Sequence, residues 1–132
     1  MIHRAVSPLS DQIEDLLHRI IGCALEVHTR LGGGYLEAVY HKAMCMELRH
    51  QGLAFATEHC VEIEYRGELI HAQRIDLVVE NQVILELKSV DRLHPVHQGQ
   101  LVSYLRALKL RAGFLINFNT DHLRGSIRRV VI

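Results

Sequence analysis

The chain has 132 residues and a mass of 15.1 kDa, a length that fits one domain with room for a real core. Its composition, 48% hydrophobic and 23% charged, is that of a globular protein, and no apolar run nears the roughly 20 residues of a membrane span. The formal net charge is zero but unevenly laid out: residues 1–96 hold 9 Lys/Arg against 14 Asp/Glu, and residues 97–132 hold 6 against 1. A zero total does not advertise a nucleic-acid binder, whereas the basic last quarter is compatible with a phosphate-facing surface or with a solvated basic face. Cys23, Cys45 and Cys60 make no CxxC pattern and cannot all pair, so they read as small buried hydrophobes in a reducing compartment. With no signal-peptide pattern at the N-terminus, the expected location is cytoplasmic.

In chain order, residues 1–9 read as a loose lead-in. From Ser10 the apolar positions Ile13, Leu17, Ile20, Ala24, Val27 and Leu31 recur at alternating steps of four and three. That spacing predicts a long amphipathic helix, with Ser10 as N-cap and Asp11 and Glu14 in its first turn, ended by Gly32-Gly33-Gly34. A second helix is predicted from Tyr35 to about Gln51, stopping at Gly52. Glu37 falls in its first turn with Tyr40 three residues on, on nearly the same face; position alone explains Glu37 as an acid facing the helix dipole. The period then changes to two, with Val61, Ile63 and Tyr65 alternating with Glu62, Glu64 and Arg66, and Arg66-Gly67-Glu68 forming a turn.

Two apolar runs, Arg74–Val79 and Val83–Lys88, flank the polar break Glu80-Asn81-Gln82 and predict a β-hairpin. With the turn centred on Asn81, Val79 faces Val83, Leu77 faces Leu85 and Ile75 faces Leu87 on one apolar face. The other face opposes Asp76 to Glu86 and Arg74 to Lys88. Opposed Cβ atoms lie roughly 4.5–5.5 Å apart, and like charges there are destabilising. A divalent cation between the carboxylates removes the conflict, and so does a quartet in which Asp76 reaches Lys88 and Glu86 reaches Arg74. From the hairpin alone the two solutions stand level.

Residues 91–96 form a loop containing Pro95. A third helix is predicted from His97 to Lys109, closed by Gly113, with Gln100 and Tyr104 sharing a face. Phe114–Phe118 reads as a buried strand, and residues 127–132 as an edge strand whose arginines discourage edge pairing. Three meandering strands followed by a strand–helix–strand crossover make a mixed α/β sheet, with residues 1–132 as one domain. The Gly32 run lacks a P-loop Lys-Ser/Thr, Ser103 and Ser126 have no triad context, and His94 with His97 lacks a zinc-site partner set. A metalloprotein using His94 and His97 is the weakest reading.

What remains is Asp76, Glu86-Leu87-Lys88, Glu37 and the Gln100 helix. An Asp followed across a hairpin by Glu-x-Lys, with a Glu-bearing helix before it, resembles the PD-(D/E)XK nuclease superfamily. Gly34-Tyr35-Leu36-Glu37-Ala38-Val39-Tyr40 matches the G-x-x-E-x-x-Y signature of the GxxExxY family, and Glu86–Val90, Gln100-Leu101 with Tyr104-Leu105, and Leu115–Phe118 are also similar to it. The resemblance spans residue 10 to the end; Ile75 stands where the superfamily motif has Pro. It implies a restriction-endonuclease-like core and a metal-dependent nuclease acting on DNA. It implies further that Asp76, Glu86 and the Leu87 carbonyl hold Mg²⁺ or Mn²⁺. Lys88 would act on the attacking water or the developing charge, Glu37 would bind a second metal or orient water, and Gln100 would hold Lys88 or a phosphate. DNA would lie on the basic C-terminal quarter, and a homodimer would allow two strands to be cut. The competing reading is a catalytically idle module of the same fold that binds nucleic acid or protein.

Overall fold

The structure, a computed structural model, describes residues 7–132, so the first six residues of the expected lead-in lie outside it. Helix α1 (Asp11–Leu31) starts where Ser10 Oγ accepts the Ile13 N–H and ends where Gly32 turns to φ +69°. Helix α2 (Glu37–His50) begins two residues later than the spacing predicts. Gly34 at φ +102° and the extended Leu36 hold the chain in a turn until Glu37.

Strands β1 (Phe55–Tyr65) and β2 (Glu68–Val79) form a long hairpin, reversed at Arg66 and Gly67, both left-handed. Strand β3 (Val83–Lys88) comes after a second tight turn, in which the Gln82 N–H bonds the Val79 carbonyl over left-handed Glu80 and Asn81. Helix α3 (Pro95–Leu108) crosses over to β4 (Ala112–Asn117), which pairs parallel to β3; a turn of 3₁₀ helix then leads into β5 (Ile127–Val131). The sheet runs in order from β1 to β5, with every other pairing antiparallel. This is the mixed α/β sheet that the sequence leads one to expect.

Two layers of side chains cover the sheet. On one face α1 and α2 bring Leu17, Ile20, Tyr40, Met44 and Leu48 against Leu77, Val79, Leu85, Leu87 and Phe114. On the other, α3 brings Leu101 and Leu105 against Val78, Ile84 and Leu115. Each large side chain buried in this way contributes about 1.5–3 kcal/mol. Among the described residues no helix is long and apolar enough to cross a membrane.

Four expectations are corrected. Helix α3 starts at Pro95, not His97, because Pro suits a first helical position and His94 caps it: His94 Nδ1 accepts the Val96 N–H while the His97 ring accepts the His94 N–H. It ends at Leu108 on left-handed Lys109. Gly113 lies instead within β4, where an added Cβ would stand 2.9 Å from both the Ile84 carbonyl and Leu101 Cδ1. Cys60 is exposed, unlike buried Cys23 and Cys45.

The fourth concerns the hairpin. The β2–β3 ladder keeps the predicted register from Val79↔Val83 through Leu77↔Leu85 and stops there. Ile75 joins the α3 side of the sheet with Val61 and Ile84, not the face of Leu77 and Leu87. The β1–β2 ladder shows why. Thr57↔Leu77 and His59↔Ile75 are paired, but Glu58 between them sits at φ +52° and leaves Asp76 without a ladder partner. Level with that break, the side-chain alternation of β2 changes phase at Asp76.

Candidate active site

That break is where the site is built. Asp76 Oδ2 accepts the Leu87 N–H at 2.8 Å, so a side chain takes up the donor that the ladder leaves free. The Asp76 carbonyl, in turn, lies 3.1 Å from His41 Nε2 on α2. His41 is four residues after Glu37, one helical turn along the same face. Glu37, His41, Glu58 and Asp76 line one cavity of about 400 Å³. Of these, His41, Glu58 and Asp76 each offer a ligand atom within 4.8 Å of the others.

Glu37 is aimed by the turn before it. The Tyr40 hydroxyl donates to the Gly32 carbonyl at 2.7 Å and accepts the Tyr35 N–H at 3.1 Å, while its ring stacks on Phe118 at 4.6 Å. Gly33 packs against the backbone of Thr120, where an added Cβ would come within 3.1 Å. The spacing Gly34, Glu37, Tyr40 therefore has a physical basis: a glycine makes the turn, the acid opens the helix, and the tyrosine one turn on locks both. Ser89 Oγ donates to the Tyr35 carbonyl, tying this turn to the end of β3. Asn117 holds the segment after Lys88, bonding Val90 through both its amide nitrogen and oxygen.

Glu86 carries the electrostatic load. It is 8% exposed, and its Oε1 has no hydrogen-bond partner. Burial first, and then the Asp76 charge, push its carboxyl up to about 8, against the opposing pull of Lys88. Glu37 is also raised, by burial and by Asp76, with Lys88 and His41 pulling the other way. Burial, then Glu86 and Asp76, raise the Tyr104 phenol, which places α3 beside the same cluster. Asp76 and Lys88 thus act on both Glu37 and Glu86. Gln100 is drawn elsewhere: its Nε2 is 3.5 Å from Gln73 Oε1, the oxygen that Tyr104 Oη donates to at 2.7 Å. The quartet, one of the two solutions open from the hairpin, does not form. Among the described residues neither Asp76 nor Glu86 makes an ion pair with Arg74 or Lys88.

The donors fit a hard divalent cation. A buried carboxylate that lacks a partner, pressed against a second carboxylate, must take up a proton or a cation, and carboxylate oxygens are the ligands Mg²⁺ and Mn²⁺ take. Three members of the neighbourhood escaped sequence reasoning. The spacing from Glu37 could have found His41. Glu58 and Gln73 carry no local signal, since β1 and β2 bring them in only after the left-handed break.

The family model described as the PD-(D/E)XK nuclease superfamily matches residues 14–130. No curated protein and no solved structure matches the chain.

Proposed function

The chain belongs to the PD-(D/E)XK nuclease superfamily, and from that premise we propose that it hydrolyses phosphodiester bonds in DNA with a divalent cation, Mg²⁺ or Mn²⁺, held at Asp76 and Glu86. The observation that carries the reading is Glu86, a buried carboxylate with an unpartnered oxygen beside Asp76 and within reach of the charge on Lys88. The Leu87 carbonyl and Glu37 complete the oxygen donors, and His41 and Glu58, which share a cavity with Glu37 and Asp76, are further ligands.

When bound, such a cation supplies Lewis-acid charge at the phosphate and lowers the pKa of water. The chain's own groups do the rest. Lys88 Nζ holds the attacking water and meets the negative charge that builds on the phosphate oxygens. Glu37 orients water from the start of α2. Gln100, held near Gln73 and Tyr104, contacts a substrate phosphate from α3. Asn117 and Ser89 keep the strand end that bears Lys88 from moving, which preserves the alignment that hydrolysis needs.

The test is cleavage of plasmid and short duplex DNA with Mg²⁺ or Mn²⁺ by the wild type, Asp76→Ala and Lys88→Ala. We expect metal-dependent cleavage that falls by about 10²–10⁴-fold in each variant, the range lost with a proton-handling group. Variants that keep the wild-type rate would overturn the proposal. A wild type that binds DNA and never cuts it would instead establish an idle binding module.

A further inference from the structure

Helix α3 has two flanks. One turns Gln100 and Tyr104 toward Gln73 on β2. The other, with β4 and β5, encloses a groove of about 510 Å³ that plays no part in the site above. Leu115 is among its lining residues, with Gln98, Val102 and Arg106 from the helix and Arg128 from β5.

The register of β5 explains how Arg128 comes to be there. It stands directly opposite Leu115, which packs against α3, so both side chains share the α3 face of the sheet. Arg129, one residue on, points the other way and meets both Glu14 oxygens at 2.6 Å. Arg128 and Arg106 have no such partner: neither guanidinium is paired with a carboxylate among the described residues. Gly99 also lines the groove, and no atom outside its immediate stretch of helix lies within 4 Å of where its Cβ would be. A glycine inside a helix costs about 1 kcal/mol relative to alanine, and crowding does not account for this one. Its effect is to leave the groove open.

Two unpaired arginines over partly apolar walls call for a ligand that is anionic along one edge and apolar along another. A nucleic-acid strand has that form, with phosphates for the guanidiniums and bases for Val102 and Leu93, which also lines the groove. From Gln98 to Arg106 the helix advances about 12 Å, the rise of three to four nucleotides of one strand. The first turn of α3 joins the groove to the site, since His94 lines the groove and His97 lies close enough to Lys88 to feel its charge.

We propose that this groove binds a single-stranded segment of nucleic acid, with Arg106 and Arg128 taking consecutive phosphates beyond the bond to be cut. The identity of the ligand rests on the nuclease reading; the place of binding rests on the groove.

The test is anisotropy of a labelled oligothymidylate in EDTA, titrated at several salt concentrations with the full chain. Arg106→Gln/Arg128→Gln should weaken binding about tenfold and reduce the slope of log K against log salt by about 1.4, the release expected for two single-strand phosphates. Arg19→Gln/Arg30→Gln, which removes the same charge from α1, should leave that slope near the wild-type value. Gly99→Leu should plug the groove and weaken binding at unchanged net charge, while its melting temperature holds or rises. The proposal is overturned if the groove and α1 variants lose affinity equally, if Gly99→Leu binds as the wild type does, or if a duplex of equal length binds as tightly as the single strand. The two readings separate cleanly. Binding at the groove without any cleavage sinks the nuclease and spares the groove, and cleavage that survives all three groove substitutions unchanged in KM does the reverse.

Discussion

Replacing Glu86 by glutamine keeps the shape of the side chain and removes its titration, so it tests the central electrostatic claim. Free glutamate loses its proton near 4.5, whereas the fold holds the Glu86 proton up to about pH 8. Between those values the folded chain binds more protons than the unfolded one, and stability must fall as pH rises. At 1.36 kcal/mol per pH unit the penalty is about 3 kcal/mol at pH 7, and it reaches its full value only above pH 8. Below pH 4.5 it vanishes. In EDTA, Glu86→Gln should therefore be more stable than the wild type by up to about 3 kcal/mol at pH 7, with the two proteins converging near pH 4. Urea unfolding followed by circular dichroism at half-unit pH steps would measure the difference. Adding Mn²⁺ at a hundred times its dissociation constant should then stabilise the wild type by about 2.7 kcal/mol and the variant by far less. Parallel stability curves for the two proteins, or a glutamine variant weaker at every pH, would refute the argument.

Two packing predictions bear on how the site is held. Tyr40→Phe removes a buried hydroxyl that bonds Gly32 and Tyr35 and should cost about 1–3 kcal/mol by thermal melting, because both backbone groups lose a partner. The same variant should lose cleavage more steeply than stability, since the turn it locks aims Glu37; equal activity per folded molecule would show that the turn is held by other contacts. Gly113→Ala places a methyl group 2.9 Å from Leu101 Cδ1 and the Ile84 carbonyl and should cost about 1–3 kcal/mol by lifting α3 from the sheet. A melting temperature equal to the wild type's would mean that the helix seats more loosely than its contacts imply.

Much of the fold could be read because local chemistry and tertiary packing agree along most of the chain. The spacing from Ile13 to Leu31 faces one core, Ser10 caps as its type predicts, and the Asn81 turn sets a hairpin register that holds through Leu77↔Leu85. The misreadings fall where one residue serves two demands. Gly113 looks like a helix terminator by composition, yet it is glycine because β4 must admit Leu101. Pro95 looks like a loop residue, yet it opens α3 behind a reciprocal histidine cap.

The site was legible in part for a deeper reason. Asp76, Glu86 and Lys88 lie on strands whose alternation can be counted, and Glu37 on a helix whose start can be placed within two residues. The count assumes, however, that the alternation continues. It fails at Asp76, level with Glu58, which lies before the alternating part of β1 and adopts a left-handed conformation worth about 1–3 kcal/mol of strain. At that level Ile75 joins the α3 face, the Leu87 N–H meets the Asp76 carboxylate, and Glu58 stands beside His41 and Asp76. A regular ladder would have set Asp76 against Glu86 as one more cross-strand pair, and a strand-paired Leu87 would have left the Asp76 carboxylate without its backbone donor. The irregularity that defeats the register argument thus coincides with the place where Glu58, His41 and Asp76 come together.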